Sequence, residues 1–77
     1  MNQASKNYIP PVKMASAGGV MLNMSTVKAI KGYSQYEQQR RNTIQYIVVT
    51  YHNGSQEEFE VNGGWEWVID DLMEQMR

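Results

Sequence analysis

The side chains of this sequence that could do chemistry are few, and they fall into four groups. His52 is the only histidine, and there is no cysteine. A metal site or a nucleophile–base pair needs a second residue of that kind, so His52, next to Asn53-Gly54, reads as a polar residue at a loop edge. Glu57, Glu58 and Glu60 place three carboxylates close together. General acid work needs a carboxyl desolvated in a cleft; on an exposed strand the same residues discourage sheet-to-sheet aggregation. Gly18-Gly19 and Gly63-Gly64 lack the lysine and the spacing of a phosphate-binding loop. The expectation is a protein that is not an enzyme and uses no metal and no cofactor.

The remaining two groups suit binding. Tyr33, Tyr36, Arg40 and Arg41 combine aromatic faces with positive charge, as a single-stranded nucleic-acid platform requires. Glu37 and three glutamines interrupt them, and a solvated loop over 32–42 explains them as well. Trp67 stands near Glu66, Asp70, Asp71 and Glu74. An exposed tryptophan ringed by carboxylates has the composition of an interface anchor with a charged rim. The alternative is an indole packed on the N-terminal arm or on the 32–42 loop.

The elements that must position these residues follow from spacing. Thr43 to Tyr51 is dense in β-branched and aromatic residues, and Ser55 to Val61 returns after Asn53-Gly54. Read as a two-residue type I′ hairpin, Val48 faces Phe59 and Tyr46 faces Val61. That puts Ile44, Tyr46, Val48, Phe59 and Val61 on the core side. Ile47, Val49 and Tyr51 then lie on the opposite side beside Gln56, Glu58 and Glu60. Such an exposed apolar row is a candidate homodimer face, although a slip of one residue exchanges the two sides. After Asn62-Gly63-Gly64, the residues Trp65, Val68, Ile69, Leu72, Met73 and Met76 form one helical stripe. Trp67 lies about 200° around that helix from Trp65, so a buried Trp65 turns Trp67 outward. Upstream, Val20, Leu22 and Met24 alternate as a half-buried strand, and Val27 to Lys31 reads as a second short strand.

Seventy-seven residues allow one domain. The reading is an α+β fold, a small antiparallel sheet of three to five strands with one C-terminal amphipathic helix packed on it. Residues 1–19 are expected to be a loosely ordered arm, in which Tyr8, Ile9 and Val12 could form an edge strand, and residues 20–77 the single α+β domain. The longest apolar run, Tyr46 to Val49, is far below the roughly 20 residues that span a bilayer. With no cysteine and no apolar leader, a cytoplasmic protein away from membranes is expected.

Charge is sorted along the chain. Up to Arg41, six Lys/Arg stand against Glu37 alone, a net of +5; from Asn42 onward, seven acids stand against Arg77, a net of −6. Short cysteine-free chains with an acidic patch and exposed aromatics look like the inhibitors that phages and plasmids direct against host defence nucleases, of anti-CRISPR or anti-restriction type. An acidic patch competes for clefts built to hold phosphate backbones and is steered there by long-range charge. The functional expectation is therefore a protein-binding module that modulates or inhibits a larger basic partner through Glu58, Glu60, Trp67, Asp70, Asp71 and Glu74. A homodimeric regulator using Ile47, Val49 and Tyr51, and an RNA- or DNA-binding domain using the 32–42 loop, are the alternatives.

Overall fold

A computed structural model describes residues 12–77 of the chain. Five strands and one helix make an α+β fold. Strands β1 (Met14–Ala17) and β2 (Val20–Asn23) form a two-stranded antiparallel hairpin; β3 (Val27–Glu37), β4 (Asn42–Tyr51) and β5 (Gln56–Val61) form a three-stranded antiparallel sheet in that order; α1 (Trp65–Glu74) closes the chain. The expected single sheet is thus split in two. No helix among the described residues is long and apolar enough to cross a membrane.

β1 falls within the span read as an arm, and the reason is Gly18-Gly19. Both glycines take positive φ, 61° and 84°, and Ala17 pairs with Val20 across them. This is the tight two-residue turn whose twist matches that of flanking strands. It lets the small residues Ala15 and Ala17 join Val20 and Leu22 on one buried side. Of the expected edge strand, Tyr8 and Ile9 lie outside the described residues, and Val12 is exposed. Asn23 then starts a 3₁₀ turn, Met24–Thr26, its Oδ1 accepting from the backbone N–H groups of Ser25 and Lys13.

Two further corrections concern the large sheet. Residues 32–42 are mostly not a loop: β3 runs through Glu37, and a short turn leads to β4 at Asn42. The turn at Asn53-Gly54 is also not the two-residue type. Gly54 takes φ 90° while Asn53 stays out of the left-handed region. The Asn53 side chain accepts from Ser55 N–H at 2.9 Å and from Ser55 Oγ at 2.6 Å. Gly54 N–H donates to Tyr51 O, and Tyr51 N–H to Ser55 O, both at 2.9 Å. The loop therefore holds three residues, His52 to Gly54, with the glycine absorbing the extra one.

That added residue slips the register by one. Ile47 faces Phe59, Val48 faces Glu58 and Gln45 faces Val61. Ile47 and Val49, expected on an outer dimer face, are 0% exposed and lie at the centre of the core; Tyr51 is half-buried against it. Tyr46 and Val48, expected inside, take the open face. Ile44 shares their parity but is buried, apart from the main cluster. The core joins Ala15, Ala17, Val20 and Leu22 to Ile47, Val49 and Val61, under Val68 and Leu72 of α1. If this register holds, Ile47→Ala costs about 2–5 kcal/mol of stability. Val48→Ala on the open face costs less than about 1 kcal/mol by denaturant titration. Equal losses would contradict the slipped register.

Candidate functional site

Residues Asn62 to Gly64 turn the chain from β5 into α1. Gly63 sits at φ 89°, and Gly64 caps the helix without a side-chain bond. Compensation for that bare cap comes from the sheet, where Gln45 Oε1 accepts from Trp65 N–H at 3.1 Å. Glu66 lies in the first turn, where the helix dipole favours negative charge. The Trp65 indole covers Gly32 of edge strand β3, so closely that a Cβ there would stand 2.3 Å from Trp65 Cε3. At the other end Gln75 grips β1 twice: its Nε2 donates to Ser16 O at 2.8 Å, and its Oε1 accepts from Ser16 N–H at 3.1 Å.

These anchors fix the rotation of α1. Val68 and Leu72 are fully buried, and Trp65, Ile69 and Met76 pack against the core. Met73, expected in the buried stripe, is 44% exposed at its margin. Trp67 points away from the core and is 59% exposed. At i+3, i+4 and i+7 from it stand Asp70, Asp71 and Glu74, and with Met73 and Arg77 they line one shallow groove. Arg77 reaches Glu74 at 3.4 Å. No cation among the described residues lies within salt-bridge reach of Asp70 or Asp71.

Glu58 and Glu60 do not belong to this surface. Phe59 and Val61 face the core, so strand alternation sends the two glutamates to the open face of the large sheet. There Tyr33 and Tyr46 stack with ring centroids 5.0 Å apart. The Tyr33 hydroxyl donates to Glu58, the Tyr46 hydroxyl to Glu37, and Arg40 spans Glu60 at 2.8 Å and Glu37 at 3.7 Å. Hydrogen bonding to Glu60 raises the Arg40 pKa, and hydrogen bonding to Glu58 raises that of Tyr33. The bond to Glu37 pushes Tyr46 up to about 12, and on the core side the bond to Glu57 pushes Tyr51 up to about 12. The six expected partner-binding residues thus divide into a helix set of four and a sheet pair. Of the expected nucleic-acid platform, Tyr33 and Arg40 are engaged within the sheet, whereas Tyr36 and Arg41 are exposed at the end of the β3–β4 hairpin.

His52 is exposed in the three-residue loop, where its backbone N–H donates to Thr26 O at 3.0 Å. No group of three or more His, Asp or Glu among the described residues could hold a metal ion. The roles of Gly32, Gln45 and Gln75 are not apparent from spacing; the two-residue hairpin reading puts the parity of Gln45 on the outer side, and only the slipped register turns it inward. No protein-family model, curated protein or solved structure matches the chain.

Gly32→Ala is expected to destabilise the fold by about 1–3 kcal/mol, because Trp65 must move, and thermal unfolding reads this directly. Alkaline titration gives a second check. The Tyr46 and Tyr51 hydrogen bonds contribute fully below pH 10, the ordinary phenol value, and that stability is lost as pH rises through about 12. Tyrosinate absorbance should show these two phenols ionising last; ionisation of both at the ordinary value would remove the bonds to Glu37 and Glu57.

Proposed function

We propose that the chain is a non-enzymatic protein-binding module that docks a larger basic partner on the outer face of α1 and so modulates or inhibits it. One observation carries this reading: Trp67 is held in solvent on a helix whose other side is anchored in the core by the fully buried Val68 and Leu72, with Asp70, Asp71 and Glu74 around it. Keeping a large indole in water forgoes the free energy of burying it, and the hot-spot residues of protein interfaces are enriched in this type. The neighbouring carboxylates suit an arginine or lysine, which can lie over the indole face while pairing with Asp70 or Asp71. Met73 adds an adaptable apolar contact at the margin.

A nucleic-acid-handling protein is the partner class that this chemistry fits best. Its cleft is basic, and a patch of carboxylates competes there with a phosphate backbone. Phage- or plasmid-encoded inhibitors of host defence systems are the biological setting in which small chains act in this way. Contact is assigned to Trp67, Asp70, Asp71 and Glu74; Glu58 and Glu60 are left to the sheet.

The test begins with affinity capture of the partner from the native cell, followed by calorimetry on the purified pair. Trp67→Ala should weaken binding by about 2 kcal/mol or more, roughly 30-fold, while stability changes by less than about 0.5 kcal/mol. Affinity should also fall steeply between about 0.01 M and 0.15 M salt. Unchanged affinity in the variant, or a flat salt response, would overturn the reading.

A further inference from the structure

The sorting of charge along the chain becomes a sorting across the large sheet. β4, its central strand, carries no Asp, Glu, Lys or Arg. Outer strand β5 carries Glu57, Glu58 and Glu60, and outer strand β3 carries Lys28 and Lys31 before Glu37 at its far end. No carboxylate among the described residues lies within salt-bridge reach of Lys28 or Lys31. Among the described residues, Glu57 and Glu58 are hydrogen-bonded to the phenols of Tyr51 and Tyr33, and no cation lies within salt-bridge reach of either. Lys31, Val48 and Glu58 form one row across the open face, with the cation at one edge and the anion at the other.

Among the described residues, both edges are also open along most of their backbones. No backbone hydrogen bond closes the outer side of β3, or of β5 from Gln56 to Val61; just past β5, Asn62 N–H donates to Gly18 O at 2.8 Å. An irregularity interrupts the start of β3 between Val27 and Ala29, but from Ala29 to Glu37 its ladder to β4 is regular. Charge of one sign on every edge is a usual protection against edge pairing. Opposite signs on the two edges protect selectively. A twofold dimer would set β5 against β5 or β3 against β3, and so acid against acid or lysine against lysine. Setting β5 of one copy against β3 of the next brings Glu58 beside Lys31 in the same row. It also supplies hydrogen-bond partners to both open backbones.

We infer that the occupant of these edges is a second copy of this chain, added head to tail so that β5 and the next copy's β3 run parallel in one continuous sheet. Because β3 and β5 run in the same direction within one copy, this addition leaves a free basic edge at one end and a free acidic edge at the other. It therefore does not close at two copies. The attraction is between exposed charges and so is controlled by salt.

Sedimentation of the full chain, from micromolar to millimolar concentration, tests this. At about 0.01 M salt, with a screening length of about 30 Å, the weight-average mass should climb past twice 8.9 kDa without a plateau. At about 1 M salt it should return to 8.9 kDa. The Lys28→Glu/Lys31→Glu variant should stay monomeric with an unchanged circular dichroism spectrum. Mixing it with Glu57→Lys/Glu58→Lys should restore association. Trp67→Ala should associate as the parent does, which separates this inference from the proposed function of α1. A monomer under all conditions, a plateau at the dimer, association of the lysine variant at parental strength, or loss of association in Trp67→Ala would each overturn it. If the glutamate variant does not fold, the lysine variant alone decides.

Discussion

The backbone at His52–Gly54 determines which of two apolar rows becomes the interior. β4 carries Ile44, Tyr46 and Val48 on one parity and Ile47, Val49 and Tyr51 on the other, and either row could line a core. The choice falls to the hairpin, where Asn53 spends its side chain on Ser55 and Gly54 alone takes positive φ. With three residues in the loop, Ile47 and Val49 meet Phe59 and Val61 on the inner side, and Tyr46 is free to stack on Tyr33. The buried centre, the tyrosine–carboxylate network and the solvent side of β5 all follow from that one turn.

α1 depends on the same register. Ten residues are too few for an isolated helix to persist in water, so its stability comes from docking. Gln45 and Gly32 both lie on the inner side set by the slipped pairing, Gln45 opposite Val61 and Gly32 opposite Ile47. One supplies the missing cap and the other the space for Trp65. A helix held at both ends cannot roll, and so Trp67 stays outward.

Legibility in the sequence tracked how unambiguous each period was. The stripe of α1 has one apolar side, and its phase alone placed Trp65 inward and Trp67 outward. The Val20 strand and the β4–β5 hairpin were legible as elements, but the facing of β4 was not, since both parities are apolar. Residues 32–37 looked like a loop because the end of β3 has exposed residues on both sides, such as Ser34, Gln35 and Tyr36, leaving no alternation to detect. β1 was hidden by its composition. Alanine and serine carry little strand preference, and only the paired glycines that follow mark a tight turn. The helix face was readable as a cluster, whereas its separation from Glu58 and Glu60 required knowing which way Phe59 points.

The grip of Gln75 on Ser16 joins segments 59 positions apart. A contact of that span confers no benefit until the intervening chain is already arranged, because the loop-closure entropy must be met first. The β3–β4 and β4–β5 hairpins, built from neighbouring residues, can form without it. Docking of the small hairpin therefore depends on the sheet and α1 being in place, since its buried Ala15, Ala17, Val20 and Leu22, the Asn62 N–H bond to Gly18 O and the Gln75 amide all reach across to them. Local opening should follow the same dependence, with β1 and β2 leaving while the three-stranded sheet persists.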